Sequence, residues 1–169
     1  VNLQVHKGDF LVVTGESGSG KSSLCMAMSG AIPHYFGGVM KGMVYVKGKA
    51  VTQSTIADLS KHVGTMLDDY DSQLVAMTVE EEIAFSLENM GMGAEEIAVA
   101  VDEALEKVGL AEFRERRLSD LSGGQRQRIG VARSIAVNPR LIVADEPVSA
   151  LDLSVQAQIL NFLKEIQRE

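Results

Sequence analysis

The chain has one cysteine, Cys25, so it has no internal disulfide, and this usage suits a reducing compartment. It has no apolar run approaching about 18 residues and no signal-peptide pattern, so nothing in it reads as a membrane-crossing segment. It has no excess of positive charge. Lys and Arg number 16 against 23 Asp and Glu, a net charge of -7, which argues against a broad phosphate-backbone footprint and against nucleic acid as a partner. Internal repeats and low-complexity tracts are also missing. What remains is 169 residues, 46% hydrophobic and 23% charged, enough for one globular domain that folds without staples. Cys25 itself lies in "SSLCMAMSG", where a buried helix position is expected rather than a reactive thiol.

Hydrophobic patterning predicts alternating strands and helices. "FLVVTG", Phe10 to Gly15, reads as a buried strand, and a helix is expected from Lys21 to about Ser29. "GMVYVKGKAV" reads as a hairpin turning at Lys-Gly-Lys. A short helix near Ile56 to His62 leads into a second buried strand, Val63 to Leu67. Thr78 and Glu81 form a T-x-x-E capping box before Ile83, Leu87 and Met90, and Ile97, Val101, Leu105 and Val108 mark a further helix closed by Gly109. The acidic run Glu80 to Glu82 reads as a first turn facing water, and Arg114, Arg116 and Arg117 as solvated surface. A helix from Ser122 to about Ala136, a buried strand Leu141 to Ala144 and a last helix through Val155, Ile159, Leu163 and Ile166 complete the pattern. The fold class is therefore α/β with a mostly parallel sheet. The core is expected to span residues 1–70 and 134–169, with a helical insertion at 71–133. Val1 runs almost at once into the first strand and Glu169 lies within an amphipathic helix, so the chain is expected to be truncated at both ends.

Three motifs carry chemistry. "GESGSGKS", Gly15 to Ser22, fits G-x-x-x-x-G-K-[ST] between a predicted strand and a predicted helix. Glycines there let main-chain N–H groups curl around phosphate oxygens, Lys21 supplies a charge for them, and Ser22 offers a hydroxyl to Mg²⁺. "LIVADE" places Asp145 at a strand end as a carboxylate beside the metal, followed by Glu146, suited to orienting or deprotonating water. "LSGGQRQR" puts Leu121, Ser122, Gly123, Gly124 and Gln125 at a helix start, a second anion-ready end.

In this order, the motifs resemble the nucleotide-binding subunit of ATP-binding-cassette (ABC) transporters over essentially the whole chain. The resemblance implies a P-loop NTPase core of RecA-like type with an antiparallel hairpin region and a helical signature subdomain. It also implies ATP and Mg²⁺ as ligands. Nucleotide-binding residues would be Gly15, Glu16, Ser17, Gly18, Ser19, Gly20, Lys21, Ser22 and Ser23. Leu121 to Gln125 would be the signature that closes on a partner subunit's ATP, and Ser149, Ala150, Leu151 and Asp152 the D-loop. Glu146 and Asp68 would be the catalytic residues, and Ser22, Asp145 and Asp68 would surround the metal. Implied partners are a second ATP-binding subunit, identical or different, and transmembrane permease subunits, at the cytoplasmic face of the membrane. "IPHYFGG" and "DSQLVAMTVEEEIAF" are similar to energy-coupling-factor ATPases, and "NPRLIVADEPVSALDLSVQAQIL" to peptide and nickel importers; both are prokaryotic importers.

Departures from the family pattern are informative. The Q-loop glutamine position is Asp68, one methylene shorter and anionic, in "GTMLDDYDSQL"; Asp69 and Asp71 read as solvated turn residues. His6, His34 and His62 are not at the family's switch-histidine position, which falls beyond Glu169, and read as surface residues; the adenine-stacking aromatic falls before Val1. The leading expectation is an ATPase powering import, weakly active as this segment alone. The alternatives are a nucleotide-gated module with little hydrolysis and a non-transport ABC ATPase.

Overall fold

The computed structural model of the chain describes residues 1–67, 73–148 and 153–167. Helix α1, Lys21–Ser29, follows the phosphate-loop motif, and a short irregular turn, α2, Ala31–His34, succeeds it. The predicted hairpin forms as β1, Tyr45–Val46, against β2, Lys49–Ala50, with Tyr45 opposite Ala50. Its two turn residues, Lys47 and Gly48, both have positive φ, 50° and 75°, which matches the right-handed twist of the paired strands. Helix α3, Ile56–Ser60, is capped by Thr55, whose hydroxyl accepts from the Asp58 amide at 3.0 Å, and leads into β3, Val63–Met66.

The capping box at Thr78 and Glu81 is present in both directions and starts α4, Val79–Glu88. Helix α5, Ala94–Lys107, ends in a Schellman closure: the Leu110 amide donates to the Leu105 carbonyl at 2.9 Å across Gly109, φ 67°. Helix α6, Gly123–Ala136, packs against both α4 and α5, and β4, Leu141–Ala144, follows. Strand β4 runs parallel to β3 with Val63 opposite Leu141 and Met66 opposite Ala144, so the whole helical stretch forms the crossover between these strands. Helix α7, Leu153–Ile166, completes the described residues.

Two apolar clusters follow from this order. The larger joins Val79, Ile83 and Leu87 of α4, Val101 and Leu105 of α5, and Ile129 and Val131 of α6 with Met66, Ile159 and Leu163. The smaller, Val46, Val51, Leu59, Val63 and Val143, lies between the hairpin, α3 and the sheet, with Cys25 and Met28 of α1 against it. Strand β3 and helix α6 meet main chain to main chain: a Cβ on Gly64 would stand 2.4 Å from the Ser134 carbonyl oxygen, so only glycine fits there.

Two expectations change. Phe10 to Gly15 is not a strand; Phe10, Leu11, Val12 and Val13 are 41–68% exposed, because among the described residues no neighbour supplies a ladder for their main chain. The acidic run does not simply face water: Glu82 is fully buried and ion-paired with Arg133, and Glu80 pairs with Arg114, which also binds Asp102. His34 is exposed, as expected of a surface residue, with its Nε2 held 2.8 Å from the Val51 carbonyl oxygen.

Candidate functional site

The phosphate-loop motif adopts a conformation that only its glycines allow. Gly18 and Gly20 have φ 79° and 96°, and a Cβ at either would meet nothing within 4 Å, so the constraint is the backbone angle and not crowding. Gly20 caps α1 with no side-chain hydrogen bond, and no acidic residue occupies the helix's first turn. The helix start thus keeps its positive end and its main-chain donors available to an anion. Lys21 folds back over the loop, its Nζ donating to the carbonyls of Gly15 and Glu16, each at 3.0 Å. Gly15 to Gly20 are exposed, and Lys21 and Ser22 half-buried.

Across from the first turns of α1 stands the end of β4. Asp145 is buried, and its amide donates to the Met66 carbonyl at 2.8 Å, which extends the β3–β4 ladder to the acid itself. Its charge reaches α1: the Cys25 thiol, one turn beyond Ser22, is pushed up first by burial and then by the Asp145 carboxylate. A hydroxyl from Ser22 and a carboxylate from Asp145 form a hard oxygen donor set, the kind Mg²⁺ takes. Among the described residues no group of three or more His, Cys, Asp or Glu gathers as a metal cage.

Glu146, immediately after, is exposed and has φ 47°, followed by Pro147. A left-handed conformation at a residue with a Cβ costs roughly 1–2 kcal/mol, and such residues persist where the surroundings over-determine them. The sequence gives no direct sign of this strain.

The third motif caps its own helix. Ser122 Oγ accepts from the Gln125 amide at 3.3 Å, and Gln125 Oε1 accepts from the Ser122 amide at 2.9 Å. Because the Ser122 hydroxyl accepts in this box, its own proton can be donated outward. Gly124 lies against α7, where a Cβ would stand 3.0 Å from Val155 Cγ1. Leu121 is buried in the larger cluster and anchors the segment.

The structure thus brings Gly15–Ser23 and Asp145 to one region, with Glu146 adjoining, and places Leu121–Gln125 at the start of a separate helix. Asp68 with Asp69 and Asp71, and Ser149, Ala150, Leu151 and Asp152, lie outside the described residues. The ion pair between Glu82 and Arg133 escaped the sequence reading. A signal was available: Glu82 follows Val79 by three residues and precedes Ile83, on the core stripe of α4.

The family profile of the ABC transporter matches residues 1–149. A protein of Pyrococcus abyssi assigned as an ABC transporter ATP-binding protein is 41% identical over 169 residues, all of this chain and 60% of its own length. YkoD of Bacillus subtilis, assigned as an HMP/thiamine import ATP-binding protein, is 36% identical over 170 residues, all of this chain and 31% of its own. The chain therefore spans from less than a third to about three fifths of these relatives. Among solved structures, cbiO1 of Clostridium perfringens, part of the ABC transporter complex cbiONQ, superposes with a TM-score of 0.86 at 27% identity, over 99% of this chain and 66% of that one. An ATP-binding cassette in a dimeric post-hydrolysis state bound to ADP and Pi gives 0.79 at 29% identity, over 99% of this chain and 73% of that one. With the family profile matching residues 1–149, most of its length, the chain belongs to the ABC transporter family.

Proposed function

We propose that this domain binds ATP at Gly15–Ser23 and, as one half of a head-to-tail dimer, hydrolyses it to drive import through membrane permease subunits. The observation that carries the reading is the pairing of an uncapped, glycine-started α1 with the buried Asp145 on the neighbouring strand end, in a chain that carries a second glycine-rich helix start at Ser122.

On this reading, Lys21 leaves the Gly15 and Glu16 carbonyls and turns to the β- and γ-phosphates, while the free amides at the start of α1 take phosphate oxygens. Ser22 and Asp145 would hold Mg²⁺, whose charge offsets that of the phosphates. The partner copy's Ser122 hydroxyl and Gly123–Gly124 amides cover the γ-phosphate, the capping box holding the hydroxyl oxygen in place. Glu146 accepts a proton from the attacking water through its exposed carboxylate. Residues 1–70 and 134–169 serve as the ATP-binding core and 71–133 as the helical part that faces the permease.

Import as the direction rests on likeness to YkoD, an HMP/thiamine import ATP-binding protein, and membership of a transporter complex on likeness to cbiO1 of the cbiONQ complex. No helix among the described residues is long and apolar enough to cross a membrane, so attachment at the cytoplasmic face would come through the permease. A second reading, a nucleotide-gated module with slow turnover, is favoured by Asp68 at the glutamine position. The test is ATP turnover of the full-length protein with and without its permease subunits. Permease-dependent turnover supports the import ATPase; tight binding without turnover, restored by Asp68→Gln, supports the gated module; absence of ATP binding overturns both.

A further inference from the structure

Residues 73–76 belong to no strand ladder and no α-helix, so their main-chain groups must find partners elsewhere. Two side chains from two helices supply them. Glu82 of α4 accepts from the Val75 and Ala76 amides through Oε2, at 3.0 and 3.1 Å. Arg133 of α6 donates to the Gln73 carbonyl from Nη1 at 3.1 Å and to Gln73 Oε1 from Nη2 at 3.2 Å. The two side chains are joined by a short bond from Arg133 Nη1 to Glu82 Oε1. Glu82 is fully buried and the Arg133 side chain is 17% exposed, so this is an interior ion pair.

Stability is a poor reason for such a pair. Removing two charges from water costs several kcal/mol per ion, and well-packed apolar residues of similar volume commonly do as well or better. What a planar guanidinium and a carboxylate add is direction: every bond here has a fixed geometry, and each names one atom of the 73–76 segment. Arg133 sits in the last turn of α6, and the Ser122–Gln125 box begins that helix ~16 Å away along a rigid rod. The same stretch of chain is tied at its other side, where the Met66 carbonyl takes the Asp145 amide. The path from the metal-side strand end to the helical segment is thus pinned at Met66 to β4, and at Gln73 to α6.

We infer that Glu82 and Arg133 are positioning residues for the reaction: together they lock segment 73–76 to α6, so that the Ser122–Gln125 end keeps a fixed place relative to the chain leaving β3. The inference rests on the ATPase reading above. It assigns neither residue a contact with nucleotide. Nucleotide affinity, set at Gly15–Ser23, should therefore be spared, and only turnover, which needs the far helix end in register, should fall.

The test uses the full-length protein with its partner subunits, carrying Glu82→Gln or Arg133→Lys. Arg133→Lys keeps the charge opposite Glu82 but loses the fork that reaches Gln73, and it stands in should Glu82→Gln fail to fold. Three quantities are measured: ATP affinity by a fluorescent analogue, kcat and KM for ATP, and amide hydrogen exchange at residues 73–76. The expected result is unchanged affinity and KM, kcat lower by about tenfold, and faster exchange at Val75 and Ala76 in Glu82→Gln. Faster exchange with unchanged kcat overturns the inference, as does loss of affinity and kcat in parallel with loss of folded protein. A parent that binds ATP without turnover fails the ATPase reading instead, and is told apart by having no kcat to compare.

Discussion

The amide of Asp145 donates to the carbonyl of Met66 at 2.8 Å. That bond makes the acid's backbone part of the sheet, so its side chain leaves a fixed point and faces α1, where its charge is felt at Cys25. The site is therefore assembled by packing α1 against the β3–β4 ladder.

Lys21→Met should abolish most nucleotide binding while leaving the fold intact. The ammonium now satisfies only two loop carbonyls at the surface, and its loss removes charge-assisted bonds to phosphate worth a factor of about 10 to 100 in affinity. Titration with a fluorescent ATP analogue measures the affinity, and the unchanged melting midpoint shows that folding is spared. A variant that binds as tightly as the parent places the phosphates elsewhere.

Glu146 separates chemistry from strain. Glu146→Gln keeps the left-handed backbone and removes the base, so ATP binding persists and turnover falls by a factor of about 100 or more. Glu146→Gly also removes the base but relieves the backbone, and should raise stability by about 1 kcal/mol. Chemical denaturation of the two variants side by side reads the difference. If glycine gives no gain over glutamine, the φ of 47° carries no strain.

The surface network at Arg114 gives a pH signature. The hydrogen bond from Arg114 holds the Glu80 carboxyl below its ordinary range; burial opposes it by less, and the guanidinium charge adds the smallest share. A carboxyl depressed in the folded state stabilises above its unfolded pKa, near 4.3 by reference peptides (roughly), and that contribution is lost as pH falls through the folded value. Both side chains are substantially exposed, so the effect is small, roughly 0.5 kcal/mol. Arg114→Leu should therefore melt slightly below the parent at neutral pH, with the gap closing under acid. A gap that widens in acid contradicts the pairing.

Much of this was legible in the chain. Thr78 with Glu81 and Ser122 with Gln125 announce helix starts through chemistry contained within four residues, and the structure forms both boxes in both directions. Leu141–Ala144 was legible because an apolar run of that length before two acids has few other uses. Phe10–Gly15 failed because strand character depends on a neighbour that the run itself does not specify. Glu82 failed for a different reason: an acid in a first turn fits the helix dipole so well that burial against Arg133, 51 residues away, has no local trace beyond its place on the apolar stripe. At the site, the glycines and Lys21 could be read from spacing, whereas the left-handed turn at Glu146 could not.

Cys25 offers a reporter for Asp145. Burial and then the Asp145 charge push its thiol up, so it reacts more slowly than a free cysteine at mildly alkaline pH. Asp145→Asn leaves the burial and removes the charge. Alkylation of this single thiol should accelerate in the variant, as followed by mass over time, and equal rates would mean that the carboxylate does not face α1.

Gly64 and the Ser134 carbonyl approach so closely that not even a methyl group can be accommodated between strand and helix. A joint without clearance has few degrees of freedom. A translation of helix α6 along β3 would bring side-chain-bearing positions into a contact that has room only for glycine. A rotation about this contact, near Ser134 and one residue past Arg133, is the displacement of the Ser122 end that disturbs it least. A swing of only ten degrees or so on a lever of ~18 Å moves the glycine-rich tip by about 3 Å, the length of one hydrogen bond.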